Sequence, residues 1–364
     1  MNDYSKKYFS KNDLIDVVKN IFKEDFKEAS YEGNEILTFL EIKLCDLVLE
    51  LIKFRQSNLK KLKFLDSNKT VAIWNGDYLP SCKICLTDEF VPLRTSTSCQ
   101  LDCDFCYVKG KIVEPLIKNM YNFMSSNFSE IALKVTLDKQ KEFFKGIAWA
   151  SRGEPLLEID KIKRMMPYIS NLGIYQWMNT NGLLISEDIL KILVDCGLNE
   201  LRFDLQASNF SEDIIKKMEL SKKYINNIVV ETPIFKKSFE NYKKWIQPLY
   251  DIGVSHYNMP ELQVFPNTIL NYMKTEGIFY KHNRGYVSPI NSTMYIYDLL
   301  DIFEENKIDV TVNICSNSAK FYRGVKSYLR GVISYNTYIQ YLPPESYFFI
   351  IDNLFKETDN MEIF

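Results

Sequence analysis

The sequence predicts an α/β protein whose parallel sheet closes, fully or in part, into a TIM-type (β/α) barrel. Three observations lead there. From about residue 70, short apolar runs alternate with amphipathic helical stretches, and parallel strands need such helical crossovers. At 364 residues the chain has room for one barrel-sized core plus appendages. Hydrophobic residues make up 46% and charged residues 25%, the balance of a compact globular protein rather than a disordered or fibrous one.

Three parts are expected in chain order. Residues 1–68 form an N-terminal helical extension, because 11–29 and 34–56 read as amphipathic helices. The second carries Ile36, Leu37, Leu40, Leu44, Leu47, Val48 and Leu51 at spacings of three and four. Residues 69–315 form the barrel. Its short runs start with VAIW at 71–74 and continue with FVPLRT at 90–95, GIAWAS at 146–151, YQWMNT at 175–180, ELRFDLQ at 200–206, NIVVETPIF at 227–235, VSHYNM at 254–259 and DVTVNIC at 309–315. Helices fall at 186–197, 211–224 and about 294–306. Residues 316–364 form an aromatic-rich segment packed on the barrel.

Forty-five basic residues stand against forty-seven acidic ones, so net charge argues for neither nucleic acid nor an anionic membrane as partner. The cluster Lys53, Arg55, Lys60, Lys61 and Lys63 reads as a solvated helix face. The N-terminal residues MNDYSKKYFSKND lack the apolar centre of a signal peptide, and no run approaches the ~20 apolar residues of a membrane span. A cytoplasmic protein is expected. Five of its eight cysteines lie between residues 82 and 106, which in a reducing compartment points to metal or redox chemistry rather than to disulfides.

The most informative stretch is Thr97-Ser98-Cys99-Gln100-Leu101-Asp102-Cys103-Asp104-Phe105-Cys106-Tyr107, a C-x3-C-x2-C loop directly after the first barrel strand. Three thiolates on one loop hold three irons of a cubane and leave the fourth open to another ligand. Structural zinc wants four protein ligands in paired C-x2-4-C units. Downstream, Gly153-Glu154-Pro155 follows the second strand and Thr180-Asn181-Gly182 ends the third. Arg202, Asp204 and Gln206 alternate on the fourth, with Ser208 in its loop, and Asn258 and Glu261 follow the sixth. Barrel chemistry sits at such strand ends.

This spacing, with Tyr107 behind the third cysteine, resembles the radical S-adenosylmethionine (radical SAM) superfamily over roughly residues 70–320. The match extends loosely to relatives of pyruvate formate-lyase activating enzymes. The resemblance implies a [4Fe-4S] cluster on Cys99, Cys103 and Cys106, and S-adenosylmethionine (AdoMet) chelated to the open iron. One-electron reduction would then cleave AdoMet to a 5'-deoxyadenosyl radical that abstracts hydrogen from a substrate. Tyr107, Gly153, Glu154, Pro155, Thr180, Asn181, Arg202, Asp204, Gln206 and Ser208 become cofactor-binding candidates. Arg152 stands where the family pattern has its first glycine.

A peptide or protein side chain is the first substrate class, a small metabolite the second, and a non-catalytic iron-sulfur or zinc protein the third. A flavodoxin- or ferredoxin-type electron donor is implied. Cys82, Cys85 and Cys315 are candidates for an auxiliary cluster or metal. Cys315, at the end of DVTVNIC, is alternatively a hydrogen-atom donor or inert. Cys45 and Cys196 read as small core residues.

Overall fold

The structure is a computed structural model. It describes residues 26–31, 35–40, 55–65, 71–106 except 94 and 97, 130–264 except 141, 143, 151 and 152, then 272, 275–276, 279–282, 286–317, 319–320 and 362–363.

In chain order the strands and helices are β1 (Phe26–Tyr31), β2 (Glu35–Leu40), β3 (Leu62–Phe64), β4 (Ala72–Trp74), α1 (Pro80–Leu86), β5 (Phe90–Leu93), α2 (Glu130–Gln140), β6 (Gly146–Trp149), α3 (Ile159–Asn171), β7 (Tyr175–Thr180), α4 (Glu187–Asp195), β8 (Glu200–Phe203), α5 (Glu212–Lys222), β9 (Asn227–Glu231), α6 (Lys236–Asp251), β10 (His256–Pro260), β11 (Phe279–His282), β12 (Tyr286–Pro289), α7 (Ile290–Glu305), β13 (Thr311–Cys315) and β14 (Glu362–Ile363). Among the described residues no helix is long and apolar enough to cross a membrane.

Nine strands form one sheet in the order β3-β4-β13-β10-β9-β8-β7-β6-β5. From β5 through β10 every neighbouring pair is parallel, and β13 joins β10 in parallel. β4 and β3 then complete the edge antiparallel. The sheet runs in linear order from β3 to β5, which makes this a partial barrel. It begins at Leu62, ahead of the boundary expected near residue 68.

The N-terminal expectation of helix is corrected over 26–31 and 35–40. These segments pair as an antiparallel hairpin in a second sheet of order β1-β2-β14-β11-β12. The Gly33-Asn34 turn signal between them and the Ile-, Thr- and Phe-containing EILTFL explain it, since β-branched and aromatic residues flanking a turn favour a hairpin over a continuous helix. Residues 11–25 and 41–54, with Cys45, fall outside the described residues, as do 321–361 and most of 265–285.

The helices cover the outer face of the sheet. Ile162, Met165, Met166 and Ile169 recur at helical spacing on α3 and are fully buried. Together with α4, α5, α6 and α7 they close one large core against the strands.

The inner face is different. α1 packs there through Ile84 against Phe90, Ala148 and Trp177, and through Cys82 beside Val71, Ile73, Tyr78 and Ala319. Around it lies a buried ionic group. Arg202 donates from Nε to Glu200 Oε1 at 2.5 Å, from Nη1 to Glu231, and from Nη2 to Ser81 Oγ at 2.7 Å and Cys82 Sγ at 3.5 Å. Ser81 Oγ also donates to Glu200 Oε2 at 2.5 Å. Burial pushes the Cys82 thiol up to about 12 despite the opposing pull of Arg202.

Glu200 is 0% exposed and Arg202 5%, so a neutral Arg202→Met would leave the buried Glu200 and the partly buried Glu231 without their cation. Breaking a buried pair in this way costs about 3–5 kcal/mol. Urea unfolding of Arg202→Met should show a loss of that order, and an unchanged midpoint would contradict the network.

Candidate functional site

The ends of β5, β6, β7 and β8 are brought together by backbone contacts. Past β5 the chain continues through Thr95 and Ser96, both buried, and is joined by the segment after β6. Gly153 N donates to Ser96 O at 3.2 Å, and Glu154 N donates to Ser98 O at 2.8 Å. A Cβ on Gly153 would lie 1.8 Å from the Ser98 carbonyl oxygen, so only glycine lets the strand-end segment reach the cysteine loop. Lys161 Nζ adds a bond to Thr95 O at 3.0 Å.

Glu154 holds the next strand end. Its Oε1 accepts from Thr180 Oγ1 at 2.8 Å and Leu156 N at 3.2 Å, and Oε2 accepts from Asn181 N at 2.8 Å. Burial raises its carboxyl above the ordinary range while these donors oppose the shift. All three of these bonds lie within the chain. Pro155 opens a 3-10 turn, Pro155–Glu158, that Glu154 caps.

Asn181 reaches the loop itself. Its Nδ2 lies 3.6 Å from Cys99 Sγ and 3.4 Å from Gln100 Oε1, while its Oδ1 accepts from Leu183 N at 2.9 Å. Gly182 follows with φ +80°, a conformation that glycine adopts without strain. At the fourth strand end Cys103 Sγ donates weakly to Ala207 O at 4.0 Å. The Cys103 thiol is pushed up to about 12 by burial, then by Asp204 and by Cys106 and Cys99.

The expected single face of Arg202, Asp204 and Gln206 is not formed. β8 ends at Phe203, and residues Leu205–Ser208 wind into a 3-10 turn capped by Asp204. Asp204 Oδ1 accepts from Gln206 N at 3.1 Å and from Thr232 Oγ1 at 3.2 Å, and burial raises its carboxyl to about 7. Gln206 turns to α6, where its Oε1 accepts from Asn241 Nδ2 at 3.1 Å. Ser208 Oγ donates to Leu205 O of its own turn at 3.2 Å. Arg202 points to the ionic group around α1. A polar strand residue followed by a capping Asp bends the chain out of register, so alternation fails after Phe203.

Further along the sheet, burial alone would raise Glu231, but Arg202 and the side chains of Asn258 and Asn179 hold it below the carboxylate range. Asn313 Nδ2 donates to Asn258 Oδ1 at 2.5 Å and lies 3.6 Å from Cys82 Sγ. Glu261 accepts from Thr293 Oγ1 at 2.5 Å and from Asn317 N at 2.8 Å, which ties β10 to α7 rather than offering a base.

Tyr107 lies outside the described residues. Two residues next to the loop carried no local signal and were missed: Phe105, whose ring lies 5.9 Å from that of Phe235, and Tyr272, 5.9 Å edge-on from Phe235. Phe105 and Tyr272 both pack on Phe235, from 130 and 37 residues away in the chain, beyond any local periodicity.

The donor set suits a cluster: three thiols on one loop, two of them among the groups that perturb the third, and a side-chain amide beside Cys99. None of the described cysteines is joined in a disulfide. No three His, Cys, Asp or Glu side chains among the described residues, those of the loop included, are drawn tightly enough to enclose an ion. Cys82, Cys85 and Cys315 are not drawn together into such a group either, and Cys82 Sγ instead lies 3.5 Å from Arg202 Nη2 and 3.6 Å from Asn313 Nδ2.

Residues 93–260 match the family model described as the radical SAM superfamily. Proteins of that superfamily work with AdoMet and a [4Fe-4S] cluster. The uncharacterized protein MJ0804 of Methanocaldococcus jannaschii is 28% identical over 236 residues, covering 61% of this chain and 72% of its own. Streptococcus suis SuiB bound to S-adenosylmethionine superposes with a TM-score of 0.43 at 13% identity over 63% of this chain, and the match spans 50% of the SuiB chain. The radical SAM enzyme coproporphyrinogen III oxidase (HemN) of Escherichia coli gives 0.40 at 13% identity, over 71% of this chain and 61% of HemN. This chain therefore matches less than two thirds of either of those structures.

Gly153→Ala should force the Ser98 backbone aside at a cost of about 1–3 kcal/mol, the range for overpacking a close contact. Denaturant unfolding and the iron retained after anaerobic reconstitution should both fall.

Proposed function

We propose that the chain holds one [4Fe-4S] cluster on Cys99, Cys103 and Cys106, binds AdoMet across the ends of β6, β7 and β8, and takes hydrogen from a peptide or protein side chain. When bound, the cluster supplies the electron that breaks the sulfonium bond of AdoMet. The observation that carries the reading is the clamp of Gly153 and Glu154 on the Ser96–Ser98 backbone, inside the span matched by the family model.

In this reading the chain's own residues position and shelter. Gly153 and Glu154 fix the cysteine loop, Asn181 polarises the Cys99 sulfur, and Asp204 keeps the Ala207 carbonyl against Cys103. Of the AdoMet candidates, Thr180, Asn181 and Asp204 stand at the mouth, whereas Arg202 and Gln206 act from behind it. Glu231 and Asn258 occupy the inward face below, where a substrate's donor groups would find acceptors.

A polypeptide substrate is supported by the open order of the sheet, whose terminal strands β3 and β5 leave a seam. A closed barrel favours small ligands. The clustering of five of the eight cysteines between residues 82 and 106 supports a reducing cytoplasm as the working compartment, with a flavodoxin- or ferredoxin-type protein as electron source.

Cys315 pairs with Pro260 at the active end of the sheet. By strand alternation it shares the inward face of Asn313, which supports a hydrogen-donor role.

Replacing Cys99, Cys103 and Cys106 together by Ala should leave no iron by chemical assay and no low-temperature paramagnetic signal after reduction. It should also abolish 5'-deoxyadenosine formation with dithionite; retained iron or activity would defeat the proposal. Cys315→Ala should keep 5'-deoxyadenosine formation but lose solvent-derived deuterium from the product. Stimulation of cofactor cleavage by the part of a cell extract that survives dialysis favours the polypeptide; stimulation only by the dialysable part favours a small metabolite.

A further inference from the structure

Tyr272 is 6% exposed, and its hydroxyl, itself shielded from solvent, has no hydrogen-bond partner among the described residues. A buried hydroxyl without a partner costs about 1–3 kcal/mol, and native structures keep few of them unless a ligand or cofactor takes the bond. The ring is fixed in place. It stands edge-on to Phe235 at 89° with centroids 5.9 Å apart, and Phe235 packs on Phe105, between Cys103 and Cys106. Just beyond, Glu276 accepts from Lys236 N at the start of α6, and Thr275 Oγ1 donates to Tyr272 O at 3.3 Å. Both hold the segment that carries the tyrosine.

The phenol's electrostatic surroundings are one-sided. After burial, the groups that raise its pKa are Asp104, Glu276, Cys103 and Cys106, all acidic. Tyr272 therefore stays protonated and is a donor whose charged neighbours are acidic. The two thiols are the acceptors that change most when a cluster forms, because they become thiolates.

We propose that Tyr272 donates its hydroxyl hydrogen bond to a sulfur of the cluster on the Cys103–Cys106 side of the loop, and by doing so sets the cluster's reduction potential. Tyr272 is thus a positioning and tuning residue. A hydrogen bond to sulfur stabilises the reduced, more negative cluster more than the oxidised one, and so raises the potential. The inference rests on the proposed cluster.

The test compares full-length wild type with Tyr272→Phe, both reconstituted anaerobically, by iron count and by a potentiometric titration followed by electron paramagnetic resonance. Phenylalanine keeps the ring and its packing on Phe235. Tyr257→Phe serves as control, since Tyr257 is also a buried hydroxyl without a partner, yet burial alone perturbs it and no thiol does.

Equal iron in all three proteins is expected. Only Tyr272→Phe should become harder to reduce, by about tenfold in the reduction equilibrium, which is about 59 mV for one electron. An unchanged potential at full iron overturns the inference. So does loss of iron in Tyr272→Phe, which would make the hydroxyl structural, and so does an equal shift in Tyr257→Phe. Absence of iron in wild type would instead sink the proposed function.

Discussion

The approach of Gly153 to the Ser98 carbonyl is the constraint from which the rest of the site follows. Two backbone bonds there, Gly153 N to Ser96 O and Glu154 N to Ser98 O, extend the pairing of β5 and β6 beyond the strands themselves. They turn a flexible cysteine loop into one with a fixed starting point. Glu154 then passes that order sideways, because its carboxylate fixes the Thr180-Asn181 turn, and Asn181 comes back to Cys99. The loop is thus held from two neighbouring strand ends. Such backbone anchoring loses little conformational entropy when a cofactor arrives, since the order has already been imposed.

The inner face of the sheet divides by height. Toward the strand starts, α1 and the Glu200–Arg202–Glu231 group fill the space with matched charges. Toward the strand ends, Asn179, Glu231 and Asn258 present polar groups at the level where β9, β10 and β13 are in register. Arg202 links the two layers by bonding Ser81 on α1 and Glu231 on β9. Each of its three nitrogens is bonded within the chain, so it shapes the chamber from beneath.

Legibility in the sequence followed the range of the interaction. The cysteine spacing, the Gly-Glu-Pro and Thr-Asn-Gly turns and their order along successive strands are local patterns, and the parallel sheet was readable from them. Where a side chain's direction depends on distant residues, sequence reasoning failed. Gln206 turns outward because Asn241 waits on α6. Cys82 lies on the inner face of the sheet because α1 packs there through apolar contacts with Phe90 and Trp177. The strands at 26–31 and 35–40 were hidden by leucines at helical spacing, which outweighed the turn signal at Gly33-Asn34. Tyr272 has no motif at all; its significance is its position beside Phe235.

The contact between Asn313 and Cys82 joins residues 231 positions apart, which has a consequence for how the protein is made. The cysteine loop leaves the ribosome early, its clamp at Gly153 follows some fifty residues behind, and the last strand beside α1 comes only near residue 315. Long-range parallel pairing is slow to form. Through most of its synthesis the nascent chain therefore displays the loop's thiols before the sheet that shelters them is complete, and in that interval competing metals and oxidants meet the cysteines first.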